Sequence, residues 1–194
     1  MGLNRGMKTL LMILALGLCL PLAGADKDKP LPKDFKSLKA LAEKGDARAQ
    51  NNLGVRYEKG QGVEQDFKEA FKWYQKSADQ GQATAQFNLG MSYASGQGVE
   101  KDSKEAVKWF QKAADQGNAR AQYVLGFMYA EGRVLMEDNV TAYAWYNIAA
   151  VNGLANGKEA KDSTAKKMTA DQIAKAEALV KEMIAKNPKL IKKP

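Results

Sequence analysis

The sequence predicts an all-α fold, an α-solenoid of stacked helix-turn-helix units with a helical cap at each end. Three observations predict it. Gly45, Gly81, Gly117 and Gly153 are separated by a constant step of 36 residues. Trp73, Trp109 and Trp145 keep the same step. Within a unit, anchors such as Ala49, Leu53 and Tyr57 recur every fourth residue, which puts them on one helix face. A lone hairpin cannot bury both sides of such a stripe, whereas stacked hairpins can.

The N-terminus is set apart from this pattern. Arg5 and Lys8 precede an almost continuous apolar run from Thr9 to Leu22, and Ala23-Gly24-Ala25 supplies the small residues of a cleavage site ahead of Asp26. Residues 1–25 are therefore expected to be a secretory signal peptide cut near Ala25, with the mature chain periplasmic or secreted. The run is shorter than the ~20 residues that span a bilayer; an uncleaved anchor is the alternative. Cys19, the sole cysteine, follows Leu18 and not the small residue that bacterial lipidation signals want. A chain cut near Ala25 has no thiol for a disulfide, a nucleophile or a metal.

The sequence contains no histidine. That removes Ser-His-Asp and Cys-His catalysis and the commonest zinc ligand. No cofactor or metal is expected, and only carboxylate or lysine mechanisms stay open.

The remaining elements follow in order. Residues 26–34 are expected to be a disordered linker. Residues 35–45 align with 71–81 at the repeat step, with Ser37 in place of Trp73, as suits an N-terminal capping helix facing water. Three units follow, 46–81, 82–117 and 118–153. In the first, a helix runs from near Asp46 to about Glu58. Gly54 sits inside it, where glycine costs about 1 kcal/mol relative to alanine. Gly90 and Gly126 repeat that cost, which predicts close approach of the second helix. Lys59-Gly60-Gln61-Gly62 makes the turn. Asp66 with Glu69, and Asp102 with Glu105, predict capping boxes opening the second helices. Ala70, Trp73, Tyr74 and Ala78 are the apolar stripe, and Gly81 ends it. Residues 154–185 are expected to be C-terminal capping helices. The last runs from about Ala170 to Ala185, opened by Thr169 with Gln172, stopped by Asn187-Pro188, and striped by Ile173, Ala176, Leu179, Val180 and Ile184. Residues 186–194 read as a basic tail.

Net charge is +8. Residues 26–157 hold eighteen basic and seventeen acidic residues, whereas 158–194 hold ten lysines and five acids. The positive charge is thus a property of the C-terminal end, which reads either as a solvated helix with a frayed end or as a surface for an anionic membrane or glycan. Nucleic acid is not expected, because export separates the chain from it.

The pattern Ala49-Gln50-x-x-Leu53-Gly54-x-x-Tyr57-x-x-Gly60-x-Gly62-Val63-x-x-Asp66, then Ala70-x-x-Trp73-Tyr74 and Ala78-x-x-Gly81, resembles the Sel1-like repeat, a relative of the tetratricopeptide repeat. Residues 82–117 repeat nearly all of it, with Phe110 in the Tyr74 slot. The third unit departs at Val134 and Leu135, where its turn is expected to differ. The resemblance spans roughly residues 35–185. It implies a right-handed solenoid with a concave face, and a role as an adaptor or assembly factor, often exported in bacteria.

In the related tetratricopeptide arrangement first helices line the concave face. Carried over, the candidate partner-binding residues are Phe87, Met91, Tyr123, Phe127, Arg120, Arg48 and Asn51, with Val55, Glu58 and Thr84 in the same columns. Aromatics and arginine are the residue types of interface hot spots. The alternative is that these side chains pack between first helices as core. The tryptophan column reads as packing, and the Asp66, Asp102 and Asp138 column as helix caps. The expected function is therefore a non-catalytic adaptor or scaffold of the bacterial periplasm or cell envelope, a monomer that binds proteins or peptides there. One alternative is an envelope enzyme acting on peptidoglycan or β-lactams, although no S-x-x-K arrangement is present. Another is a protein that binds lipid or polyanion through its basic C-terminus.

Overall fold

The computed structural model describes residues 30–132 and 138–192. The expected signal peptide, residues 26–29 of the linker, the altered turn at Val134 and Leu135, and residues 193–194 lie outside the described residues. The body that begins at Leu31 contains nine α-helices and no strand among the described residues. They are α1 (Phe35–Glu43), α2 (Ala47–Lys59), α3 (Phe67–Asp79), α4 (Ala83–Ser95), α5 (Ser103–Ala114), α6 (Ala119–Glu131), α7 (Asn139–Val151), α8 (Ala155–Ala165) and α9 (Ala170–Lys186). A short 3₁₀ turn, Pro188–Leu190, follows. Each helix packs on the next from α1 to α8, so α2–α3, α4–α5 and α6–α7 form the three repeat units and α1 and α8 cover their ends.

Each unit is held by the same few contacts. Leu53, Leu89 and Leu125 are fully buried, as are Ala49, Ala85 and Ala121. The mid-helix glycines meet an aromatic ring of the second helix. A methyl on Gly54 would lie 2.6 Å from Tyr74, and one on Gly90 or Gly126 would lie 2.7 Å from Phe110 or Tyr146. The close approach expected from the sequence is thus ring against backbone, a gap any side chain would close.

Units are joined by a hydrogen-bond ladder that repeats with the same step. Gln50, Gln86 and Gln122 each donate from Nε2 to a carbonyl of the preceding second helix or cap, Ala42, Ala78 and Ala114, at 3.1, 3.3 and 3.1 Å. Their Oε1 atoms accept from Gln80, Gln116 and Asn152 at 2.6, 2.7 and 2.8 Å. Polar groups this buried must be paired, so the amide column ties each unit to its predecessor.

The second helices open differently from the expected capping box. Asp66 accepts from the N–H groups of Lys68 and Glu69 at 2.9 and 3.0 Å, and Asp102 and Asp138 do the same in their units. The return bond from Glu69 to the Asp66 N–H is missing, because that N–H already donates to the Tyr57 carbonyl at 3.0 Å. Glu69 pairs with Lys72 instead. Only Thr169 and Gln172, opening α9, make both bonds of a capping box among the described residues.

The C-terminal end departs from the repeat. Helix α9 packs on α7. Its Ala176 and Val180 are buried, and Val180 joins Trp145 and Ile148 in one cluster. Units one and two carry Lys72, Lys76, Lys108 and Lys112 where α7 carries Ala144 and Ile148. There Lys76 and Lys112 lie over the Trp73 and Trp109 rings, at 4.1 and 3.8 Å from the centroids. In the third unit, the exchange for Ala and Ile creates the apolar face that α9 covers.

The segment read as a basic tail is docked as far as Lys192. Leu190 is buried in the same cluster, and its carbonyl accepts from Gln122 Nε2 at 2.9 Å and Asn152 Nδ2 at 2.6 Å. Asn187 Nδ2 donates to the Asp115 carbonyl at 2.9 Å. Charge composition pointed to solvent for this stretch, whereas a buried leucine and satisfied backbone groups hold it.

Candidate functional site

The face formed by α2, α4 and α6 carries the side chains that the sequence nominates. Two large apolar groups on it are open to solvent: Met91 is 44% and Phe127 42% exposed. They occupy one repeat column, 36 residues apart. Phe87 and Tyr123, one helical turn earlier, are half-buried. Their rings lean on the second helix of their own units, Phe87 on Phe110 with centroids 5.8 Å apart, and Tyr123 on Tyr146 at 5.3 Å. The Phe87 and Tyr123 rings are thus partly packing, while Met91 and Phe127 lie on the surface.

Asn51 belongs to the packing. It is 5% exposed, and its Oδ1 accepts from Asn88 Nδ2 at 2.9 Å, joining α2 to α4. Its side chain serves the array internally, although the same column exposes more of Phe87 and Tyr123. Arg48 is partly buried on α2, and Arg120 is exposed on α6.

Two hollows mark this side of the array. A cavity of about 230 Å³ is lined by Phe87 and Met91 from α4, Phe67 and Tyr74 from α3, and Glu58 at the end of α2. Tyr74 donates its hydroxyl proton to the Glu58 carboxylate. Burial first, and this carboxylate second, hold the phenol well above its ordinary pKa, so it stays a neutral donor. Asn88, Ser92 and Ser95 add polar groups to the wall. The second hollow, about 380 Å³, brings Phe87 and Arg120 together with Thr84, Asn152 and Lys192. Phe87 thus lies between a hollow with a carboxylate and one with two cations. Tyr123 and Phe127 line neither.

Sequence reasoning did not anticipate Asn88, Ser92 and Ser95. One signal for the first hollow was present: only the first unit combines Glu58 with a tyrosine at the Tyr74 column, the later units having Ala94 with Phe110 and Ala130 with Tyr146. Among the described residues no group of three or more Asp, Glu, Cys or His side chains is placed to share a metal ion.

Stacked helix pairs with a fixed step and a shared amide ladder define a helical-repeat solenoid. The Sel1 repeat model matches three consecutive stretches, residues 47–82, 83–118 and 119–154. The chain belongs to the Sel1 repeat family. It is similar to a protective antigen of uropathogenic Escherichia coli strains that displays the Sel1-like repeat fold, with 40% identity and a TM-score of 0.73 over 80% of this chain and 34% of that one. A Sel1 repeat protein from Oxalobacter formigenes is 36% identical, with a TM-score of 0.58 over 64% of this chain and 57% of that one. The chain thus spans about a third of the first relative's length and just over half of the second's. No curated protein matches it. Sel1 repeat proteins are generally protein-interaction scaffolds, and the family is typically non-catalytic.

Proposed function

We propose that this chain is a non-catalytic adaptor that binds a protein or peptide partner of the bacterial cell envelope on the face of α2, α4 and α6. The observation that carries the reading is the column of Met91 and Phe127: two large apolar side chains, exposed by over two-fifths each, repeated in register on adjacent units. Apolar groups left in water at a regular step are a surface awaiting cover. Phe87 and Tyr123 extend the patch, and Arg120 supplies a cation at its edge. Glu58 adds a carboxylate beside the apolar wall, so a partner with a basic side chain on a long aliphatic stem suits the first hollow. The periplasmic or secreted location rests on the layout of residues 1–25.

Met91→Ser with Phe127→Ser is the informative variant, because both side chains can be exchanged without opening the core. In-cell crosslinking with mass spectrometry should capture a partner with the unaltered chain and lose it with the double variant, at unchanged helicity. Identical captured sets would sink the reading. N-terminal sequencing of the mature protein should begin at Asp26; a chain that retains residues 1–25 would overturn the assignment of a cleaved signal.

A further inference from the structure

The ladder that joins the units is occupied in one place and open in another. At the third unit, Gln122 and Asn152 use every donor and acceptor they have. Gln122 Nε2 bonds the carbonyls of Ala114 and Leu190, and Asn152 Nδ2 bonds Gln122 and the Leu190 carbonyl. Asn152 Oδ1 accepts from the Lys192 N–H at 2.8 Å. Between those two backbone groups lies Ile191, with φ −107° and ψ 126°. One side-chain amide therefore reads the carbonyl before an extended residue and the N–H after it. That is the pairing a neighbouring β-strand would make, and it is indifferent to side-chain identity. Gly117 makes the approach possible, since a methyl there would lie 2.9 Å from the Lys189 carbonyl.

One unit earlier the same parts stand uncovered. Gln86 bonds Ala78 and accepts from Gln116, and among the described residues its second N–H, the second N–H of Gln116 and the Gln116 Oε1 have no partner. Above Gly81, the counterpart of Gly117, nothing approaches within 4 Å of a methyl position. Asp79 precedes Gly81 as Asp115 precedes Gly117, and the segment held at the third unit carries Lys189 and Lys192.

We infer that the edge formed by Gly81, Gln86 and Gln116 is a second backbone-capturing site, and that it takes a lysine-bearing extended segment of another polypeptide. Gln86 and Gln116 donate to a carbonyl of that segment, Gln116 Oε1 receives the N–H two residues on, and Asp79 favours the lysines. The chain's own C-terminus shows the chemistry that fits; in its own molecule it is engaged one unit further along. Gly81, Gln86 and Gln116 are not residues of the Met91 and Phe127 column, so each site is tested by its own variant.

The test uses the full mature chain, isotopically labelled, and a synthetic peptide Asn-Pro-Lys-Leu-Ile-Lys followed by NMR. The expected result is shifts at the Gly81 amide and the Gln86 and Gln116 side-chain amides, absent in Gln116→Ala. Shifts confined to Gly117, Gln122 and Asn152 would mean exchange at the occupied site and would overturn the proposal, as would no shifts at millimolar peptide. The same shifts appearing with protein concentration alone would replace the partner by a second copy. A Leu190→Asp variant, which frees the third-unit site, supplies the positive control: the peptide should then shift Gly117 in trans. If it binds at neither edge, backbone capture by the amide pair is refuted.

Discussion

Gly90 and the ring of Phe110 stand so close that a methyl group on the glycine would reach 2.7 Å from two ring carbons. Helix propensity alone favours alanine at this mid-helix position by about 1 kcal/mol. Overpacking a buried ring costs about 1–3 kcal/mol. The second effect wins, because Phe110 is fully buried and cannot move aside. Gly90→Ala should lower stability in urea titration, and Phe110→Leu placed beside it should recover part of the loss. A Gly90→Ala chain more stable than its parent would contradict this account.

Asp102 and Glu105 have unequal duties despite their capping-box spacing. Asp102 satisfies two N–H groups at the start of α5, whereas Glu105 pairs with Lys108 at the surface. Asp102→Ala should cost about 1 kcal/mol. Glu105→Ala should cost under about 0.5 kcal/mol, as exposed ion pairs contribute little. Equal losses would restore the reciprocal box.

Ile148 stands fully buried at the position where earlier units have Lys76 and Lys112. Returning a lysine there would set a charge beneath α9, inside the cluster of Trp145, Val180 and Leu190. Ile148→Lys should cost about 3 kcal/mol or more. Amide hydrogen exchange should quicken in α9 and the Leu190 turn before α2 to α4 are affected. The opposite exchange, Lys112→Ile, should change stability by less than about 0.5 kcal/mol. Unchanged protection of α9 in Ile148→Lys would refute the docking.

Two buried phenols set an alkaline limit. Burial, then Tyr123 and Glu131, push Tyr146 up from 10.0 to about 12, and Tyr74 is raised further by burial and by Glu58. Between these values and 10 the unfolded chain releases protons that the folded chain retains. Their contribution is therefore complete below pH 10 and is lost as pH climbs from 10 towards 12. Urea midpoints measured from pH 9 to 11.5 should fall across that window, less steeply in Tyr146→Phe. A midpoint that is flat across the window would refute it.

The helix pairs and the duty of Gly54, Gly90 and Gly126 were legible in the sequence because each appears three times in phase. A feature that occurs once has no such support. The fold of α9 onto α7 depends on Val180 meeting Trp145 and Ile148 across some thirty residues of chain, and local periodicity is silent about partners at that distance. Its trace was nonetheless present in the columns, where two lysines give way to Ala144 and Ile148. Leu190 was hidden by its lysine neighbours, since net charge carries no information about a captured carbonyl. In the candidate site, Phe87 and Met91 look alike at a spacing of four. Only the position of Phe110 decides that the first leans inward and the second stays in water.

The hydrogen-bond ladder also bears on how long this array can be. Every rung joins a unit only to the one before it, and among the described residues the hydrogen bonds of the C-terminal clasp reach back no further than Asp115. A further 36-residue block spliced in at Gly81 would find a matching rung on either side, and the clasp would close as before. Length is thus an adjustable property of this architecture, set by how many blocks stand between two fixed ends.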